Sequence, residues 1–227
     1  MALNVRAPDP ATPLKVGVLI SGRGSNLQAL IDACRDDAMP AQIVAVISNN
    51  AEAAGLGRAR QAGIPTHIVN QQDFADRASF DTVLDRALRD AGANFVCLAG
   101  FMRLLTRDFV TAWRDRMINI HPSLLPAFPG LDTHARVLAA GAKFAGCSVH
   151  FVRFETDTGP IIVQAAVPVR ADDTPDALAA RVLEAEHRAY PLALRLVAEG
   201  RVRVVDERAI VDARPPAPEF ILNPPEA

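Results

Sequence analysis

Four short apolar runs recur through the first hundred residues, at Lys15–Ile20, Ile43–Ile47, Thr66–Val69 and Phe95–Ala99. Stretches with helical periodicity separate them, over Asn26–Arg35, Ala51–Ala62 and Arg77–Ala91. Unbroken apolar strands suit a sheet buried on both faces. A helix after each strand carries the chain back to start the next one in the same direction. The expected class is therefore α/β: a mostly parallel, Rossmann-like sheet flanked by helices.

The second half changes character. A short helix is expected near Thr133–Ala140, then two β-rich runs, Ser148–Arg153 and Ile161–Val169, joined through Glu155-Thr156-Asp157-Thr158-Gly159-Pro160. So tight a link predicts an antiparallel portion of the sheet. Thr174 then caps a long amphipathic helix that starts on Pro175 and runs to Glu199, before Gly200. A short Arg201–Val205 run follows. Residues 1–13 read as a flexible lead-in, 14–212 as a single domain and 213–227 as a proline-rich tail.

Half of the 227 residues are hydrophobic, enough to bury a full core without disulfides or a metal. A net charge of −2 is not that of a general nucleic-acid binder. Any phosphate bound here must be met by local groups. Cys34, Cys97 and Cys147 have no paired spacing and lie in apolar stretches, so they are expected as reduced core thiols in a reducing compartment. The N-terminus lacks a basic start followed by an apolar run, and no stretch is long enough to span a bilayer. The expectation is a soluble, cytoplasmic protein, either monomer or homodimer.

The turn after the first strand, Ser21-Gly22-Arg23-Gly24-Ser25-Asn26, opens the first helix. Helix N-termini at the carboxyl ends of parallel strands offer unpaired N–H groups and partial positive charge to an anion. Gly24 allows close backbone approach, and Ser25 and Asn26 add side-chain donors. Leu27 replaces the third glycine of a dinucleotide fingerprint, and Ser48-Asn49-Asn50 offers no ribose-binding acid after the second strand. A single phosphate fits this turn, as does an ordinary tight turn with a helix cap.

Asn119-Ile120-His121-Pro122-Ser123 ends a strand-like run, and alternation puts Asn119 and His121 on one face. An amide donor beside an imidazole suits acyl transfer to an amine: one stabilises an oxyanion, the other moves a proton. A structural histidine is the alternative. Asp157 in the downstream link could orient His121 and favour its charged form, or could simply form the turn. No histidine or acid shows metal-ligand spacing, so no metal is expected.

Together the segments LISGRGSNLQALIDA, LAGFMRLLT, NIHPSLLPAFPG and SVHF followed by DTGPII resemble the phosphoribosylglycinamide formyltransferases, over roughly Lys15 to Asp212. The resemblance implies transfer of formyl from 10-formyltetrahydrofolate, a co-substrate, to glycinamide ribonucleotide. By position it implies that Asn119, His121 and Asp157 are the catalytic group and that Gly24, Ser25 and Asn26 hold the acceptor's phosphate. Glu186 would grip its ribose. Arg77, Met102, Arg103, Leu104, Leu105, Asn119 and Val152 would meet the folate, the segment Val152–Asp157 forming the loop over its pterin. His150 would support the site; His67, His134 and His187 are read as structural or surface. Thr158, Ala127 and Asp132 depart from residues common in such proteins. Hydrolase relatives carry a regulatory domain ahead of the first strand, and tRNA-directed relatives a basic C-terminal domain; neither is expected from this sequence.

Overall fold

The computed structural model describes residues 13–212, so the expected lead-in, apart from Pro13, and the tail lie outside the described residues. Leu14–Ile20 (β1) lies third in a seven-stranded sheet. Ala41–Ser48 (β2) and Thr66–Ile68 (β3) extend it on one side, and Phe95–Leu98 (β4) and Met117–His121 (β5) on the other. These five pair in parallel. Phe144–Phe151 (β6) and Ile161–Pro168 (β7) then complete the order β3-β2-β1-β4-β5-β6-β7, both antiparallel to their neighbours. The expected architecture is the one observed.

Side-chain alternation divides the core into two layers. Val16, Val18 and Ile20 pack with Leu27 and Leu30 of Ser25–Ala33 (α1) and with Tyr190 and Leu194 of Pro175–Ala198 (α6). Gly55–Gln61 (α2) closes the same face through Leu56 and Ala59. Leu19, Ile47 and Val96 face the other way, onto Phe80, Leu84 and Leu88 of Arg77–Asp90 (α3) and onto Phe109 and Trp113 at Arg107–Ala112 (α4). The fully buried Tyr190 hydroxyl contacts the carbonyls of Leu98 (3.0 Å) and Ile118 (3.2 Å), tying β4 to β5 one residue before Asn119. The three cysteines are free, with Cys97 and Cys147 buried and Cys34 partly so, as expected of core thiols.

Several boundaries differ from the sequence reading. β6 begins at Phe144, four residues ahead of the expected Ser148, because Gly146 holds an extended conformation and the strand pairs with β7 back to Phe144↔Pro168. α2 begins at Gly55 and not at Ala51, where a turn intervenes. α4, which the sequence reading lacks, is a short helix capped by Thr106, whose hydroxyl accepts from Phe109 N–H at 3.3 Å. The Arg201–Val205 run is half of a hairpin, Val202–Val205 (β8) with Arg208–Val211 (β9), turning on Asp206 and Glu207, both at positive φ. Those two residues lack the Asn-Gly signature that marks such a turn in sequence. The remaining helix, Thr133–Ala139 (α5), lies where expected, and Thr174 caps α6 through Ala177 N–H.

Candidate active site

The carboxyl ends of β1, β4 and β5 open onto a cleft of about 790 Å³. Its floor is the turn Ser21–Asn26. Gly24 sits at φ 72°, and a Cβ there would lie 2.6 Å from Gly55 Cα. The glycine therefore serves a left-handed conformation and a backbone contact with α2, not only access for a ligand. Asn26 Nδ2 donates to Glu186 Oε2 at 2.7 Å across the cleft. Glu186 is 7 % exposed, and burial pushes its carboxyl above the usual carboxylate range, partly opposed by that hydrogen bond. Ile120, Pro122 and His134 line the cleft too. Sequence reasoning treats His134 as structural or surface. Its place in the first turn of α5, beside the end of β5, is not visible in local sequence.

A second, narrower cavity of about 130 Å³ lies on the other side of β5. Arg103, Leu104, Leu105, Asn119, His150, Val152 and Asp157 line it. Met102, expected with them, faces the larger cleft and is 70 % exposed. The two neighbours thus line different cavities. Arg77, the first residue of α3, is exposed and lines neither cavity.

Between the two cavities, Asn119, His121, His150 and Asp157 come together. The antiparallel register sets Asn119 opposite His150 and His121 opposite Ser148. The link between β6 and β7 folds back so that Asp157 Oδ2 lies 3.3 Å from His121 Nδ1. Asp157 holds φ 57°, a left-handed conformation that aspartate tolerates better than most residues, and its carboxylate accepts the Gly130 N–H at 2.8 Å. Both side chains are buried, at 7 % and 8 % exposure. The other imidazole nitrogen of His121, Nε2, faces the Phe128 carbonyl at 3.1 Å. Both ring nitrogens thus face oxygen atoms.

His150 is held differently. Its Nδ1 donates to the Phe151 carbonyl at 3.0 Å, which leaves Nε2 to accept from Asn119 Nδ2 at 3.3 Å. Burial pushes the His150 imidazole below its ordinary range, against the raising effects of that carbonyl and of Asp157. The ring is therefore neutral, and its 3.8 Å approach to Asp157 Oδ1 is not an ion pair. An amide fixed by a neutral imidazole keeps one N–H free for a reacting oxygen.

Thr158 Oγ1 donates to the Glu155 carbonyl at 2.8 Å and so closes the loop that carries Asp157. Asp132 precedes α5 at φ 54° with no side-chain cap bond. No group of three or more His, Cys, Asp or Glu among the described residues is arranged to hold a metal ion. No helix among them is long and apolar enough to cross a membrane.

Comparison with known proteins identifies the family. Residues 14–194 match the formyl transferase family pattern. The chain is 53% identical over 190 residues to the trifunctional purine biosynthetic protein adenosine-3 of Bos taurus, covering 84% of this chain but only 19% of that protein. It thus spans about a fifth of the length of these trifunctional relatives. The phosphoribosylglycinamide formyltransferase of Escherichia coli K12 is 47% identical over 201 residues, covering 88% of this chain and 95% of that one. Among solved structures, glycinamide ribonucleotide transformylase 1 from Symbiobacterium toebii superposes with a TM-score of 0.86 at 48% identity, covering 88% of this chain and 94% of that one. The chain belongs to the formyl transferase family.

Proposed function

We propose that this chain transfers the formyl group of 10-formyltetrahydrofolate to the amine of glycinamide ribonucleotide, giving formylglycinamide ribonucleotide and tetrahydrofolate in purine biosynthesis. The observation that carries the reading is the contact of His121 with Asp157 beside a small cavity that Asn119 and Asp157 line, next to a larger cleft that ends on a helix N-terminus. Full-length similarity to proteins named for this reaction supports it.

In this reading the acceptor's phosphate sits on the N–H groups that open α1 at Gly24, Ser25 and Asn26, and Glu186 accepts from its ribose hydroxyls. The folate ring enters beside Arg103, Leu104, Leu105 and Val152. The neutral amine attacks the formyl carbon, and the carbonyl oxygen gains charge. Asn119 Nδ2 donates to that oxyanion, and His121, aimed by Asp157 at Nδ1, joins it when Nε2–H exchanges the Phe128 carbonyl for the reacting oxygen. The tetrahedral intermediate then collapses: the bond from carbon to folate N10 breaks, and a proton lost by the amine ends on N10. Direct attack requires no covalent enzyme intermediate. The unpaired core cysteines fit a reducing, cytoplasmic setting.

The test is folate absorbance after mixing the protein with 10-formyltetrahydrofolate, with and without glycinamide ribonucleotide. Formyl loss that depends on the ribonucleotide is the expected result. Equal loss without it would reassign the protein to hydrolysis, with water in place of the amine.

A further inference from the structure

Four side chains and one backbone N–H close a hydrogen-bonded ring that none of the proposed chemistry uses. The Met102 N–H donates to Ser21 Oγ at 2.8 Å, and the Ser21 hydroxyl donates to Asn49 Oδ1 at 2.6 Å. Asn49 Nδ2 donates to Gln71 Oε1 at 3.0 Å, and the same oxygen accepts from Arg103 Nη1 at 3.3 Å. Met102 and Arg103 are consecutive, so the circuit is complete. All donors point around it toward one acceptor, Gln71 Oε1.

The ring joins the two halves of the site. Ser21 begins the turn that floors the large cleft, and Arg103 lines the small cavity. Asn49 and Gln71 line neither, and Asn49 is 3 % exposed. A buried amide costs stability unless fully paired, and an apolar side chain would close the end of β2 without that risk. Here the pairing fixes geometry: it sets which way the Asn49 amide faces, and the Arg103 guanidinium is further held 4.3 Å over the Phe80 ring. A shift of the 102–103 segment must move Ser21 or break a bond in the ring.

We infer that Gln71 and Asn49 are positioning residues that couple the two substrate cavities, so that either substrate binds more tightly once the other is in place. The inference rests on the formyl-transfer reading. A displacement that one ligand imposes on Ser21 or on the 102–103 segment is carried through the ring to the other cavity, and such coupling is reciprocal.

Gln71→Met removes the shared acceptor at similar volume, whereas Gln71→Glu keeps an oxygen for both donors. Calorimetric binding of tetrahydrofolate, with and without saturating glycinamide ribonucleotide, reads the coupling without turnover. In wild type the ribonucleotide should tighten tetrahydrofolate several-fold. In Gln71→Met that gain should vanish and the KM for 10-formyltetrahydrofolate should rise about tenfold, the order expected when a buried donor loses its partner. Gln71→Glu should retain both properties. Coupling absent in wild type, coupling intact in Gln71→Met, or Gln71→Glu as impaired as Gln71→Met would each overturn the inference while normal wild-type turnover left the reaction standing. A wild type that transfers no formyl to the ribonucleotide would overturn both.

Discussion

Asn26 and Glu186 stand 160 positions apart in sequence and meet at 2.7 Å, one opening α1 and the other midway along α6. The bond joins the turn that floors the large cleft to the carboxylate on the opposite wall. It also makes Glu186 a buried acid whose ionised form is disfavoured by desolvation.

Glu186→Gln should therefore separate binding from stability. A carboxyl whose folded pKa lies above its ordinary value of 4.5 binds protons more tightly folded than unfolded. The wild type thus loses stability as pH rises through the raised folded value, whereas below the ordinary value both states hold the proton. The substituted amide cannot ionise, so the variant should gain thermal stability relative to wild type at neutral and alkaline pH, and the gain should fade toward pH 4.5. Its acceptor KM should rise, because the ribose loses an anionic partner. Unfolding scans across that pH range, with steady-state kinetics at one pH, check both halves.

Asn119→Ala and His121→Ala each remove one donor from the proposed oxyanion site. The expected loss in kcat is about 10²–10³, with circular dichroism unchanged. Near-normal kcat in either variant would remove that residue from the chemistry.

Asp157→Asn keeps the shape of the side chain and its contact with Gly130 N–H but removes the charge facing His121. The pH–rate profile should move along the pH axis as well as fall. A profile lowered uniformly, with no displacement, would reduce Asp157 to a spacer.

Gly24→Ala tests the floor of the cleft. A side chain at φ 72° whose Cβ meets Gly55 Cα at 2.6 Å should cost about 1–3 kcal/mol of stability. It should also raise the acceptor KM more than the folate KM. A folate-side defect alone would place the phosphate elsewhere. Ser25→Ala offers the milder comparison, since it removes a hydroxyl without touching the backbone.

Much of the fold is legible because its signals are local. The strand-and-helix alternation gives the parallel half of the sheet, and Thr-Gly-Pro gives the reversal between β6 and β7. Misses occur where tertiary context overrides local pattern: Gly146 sits inside a strand that begins earlier than its β-rich residues suggest, and Asp206-Glu207 turns a hairpin without the glycine that usually follows such an aspartate. The site divides similarly. Asn119 and His121 are paired by strand alternation alone. The Asp157 contact with His121 depends on a left-handed residue in a loop, which no periodicity encodes. Gly55 and the His150–Asn119 bond depend on contacts between elements, as does the separation of Met102 from Arg103 into different cavities.

Strand β5 meets the small cavity through Asn119 and the large cleft through Ile120, with Pro122 just past its end also on the cleft. The two-residue period of an extended chain thus acts as a sorting rule, assigning successive side chains to opposite compartments. Donor and acceptor would be kept apart along the strand and allowed to touch only past its end, where the partition stops at His121. A single residue inserted near Met117 would hand each compartment the other's lining, leaving the sheet intact and the two reactants facing the wrong walls.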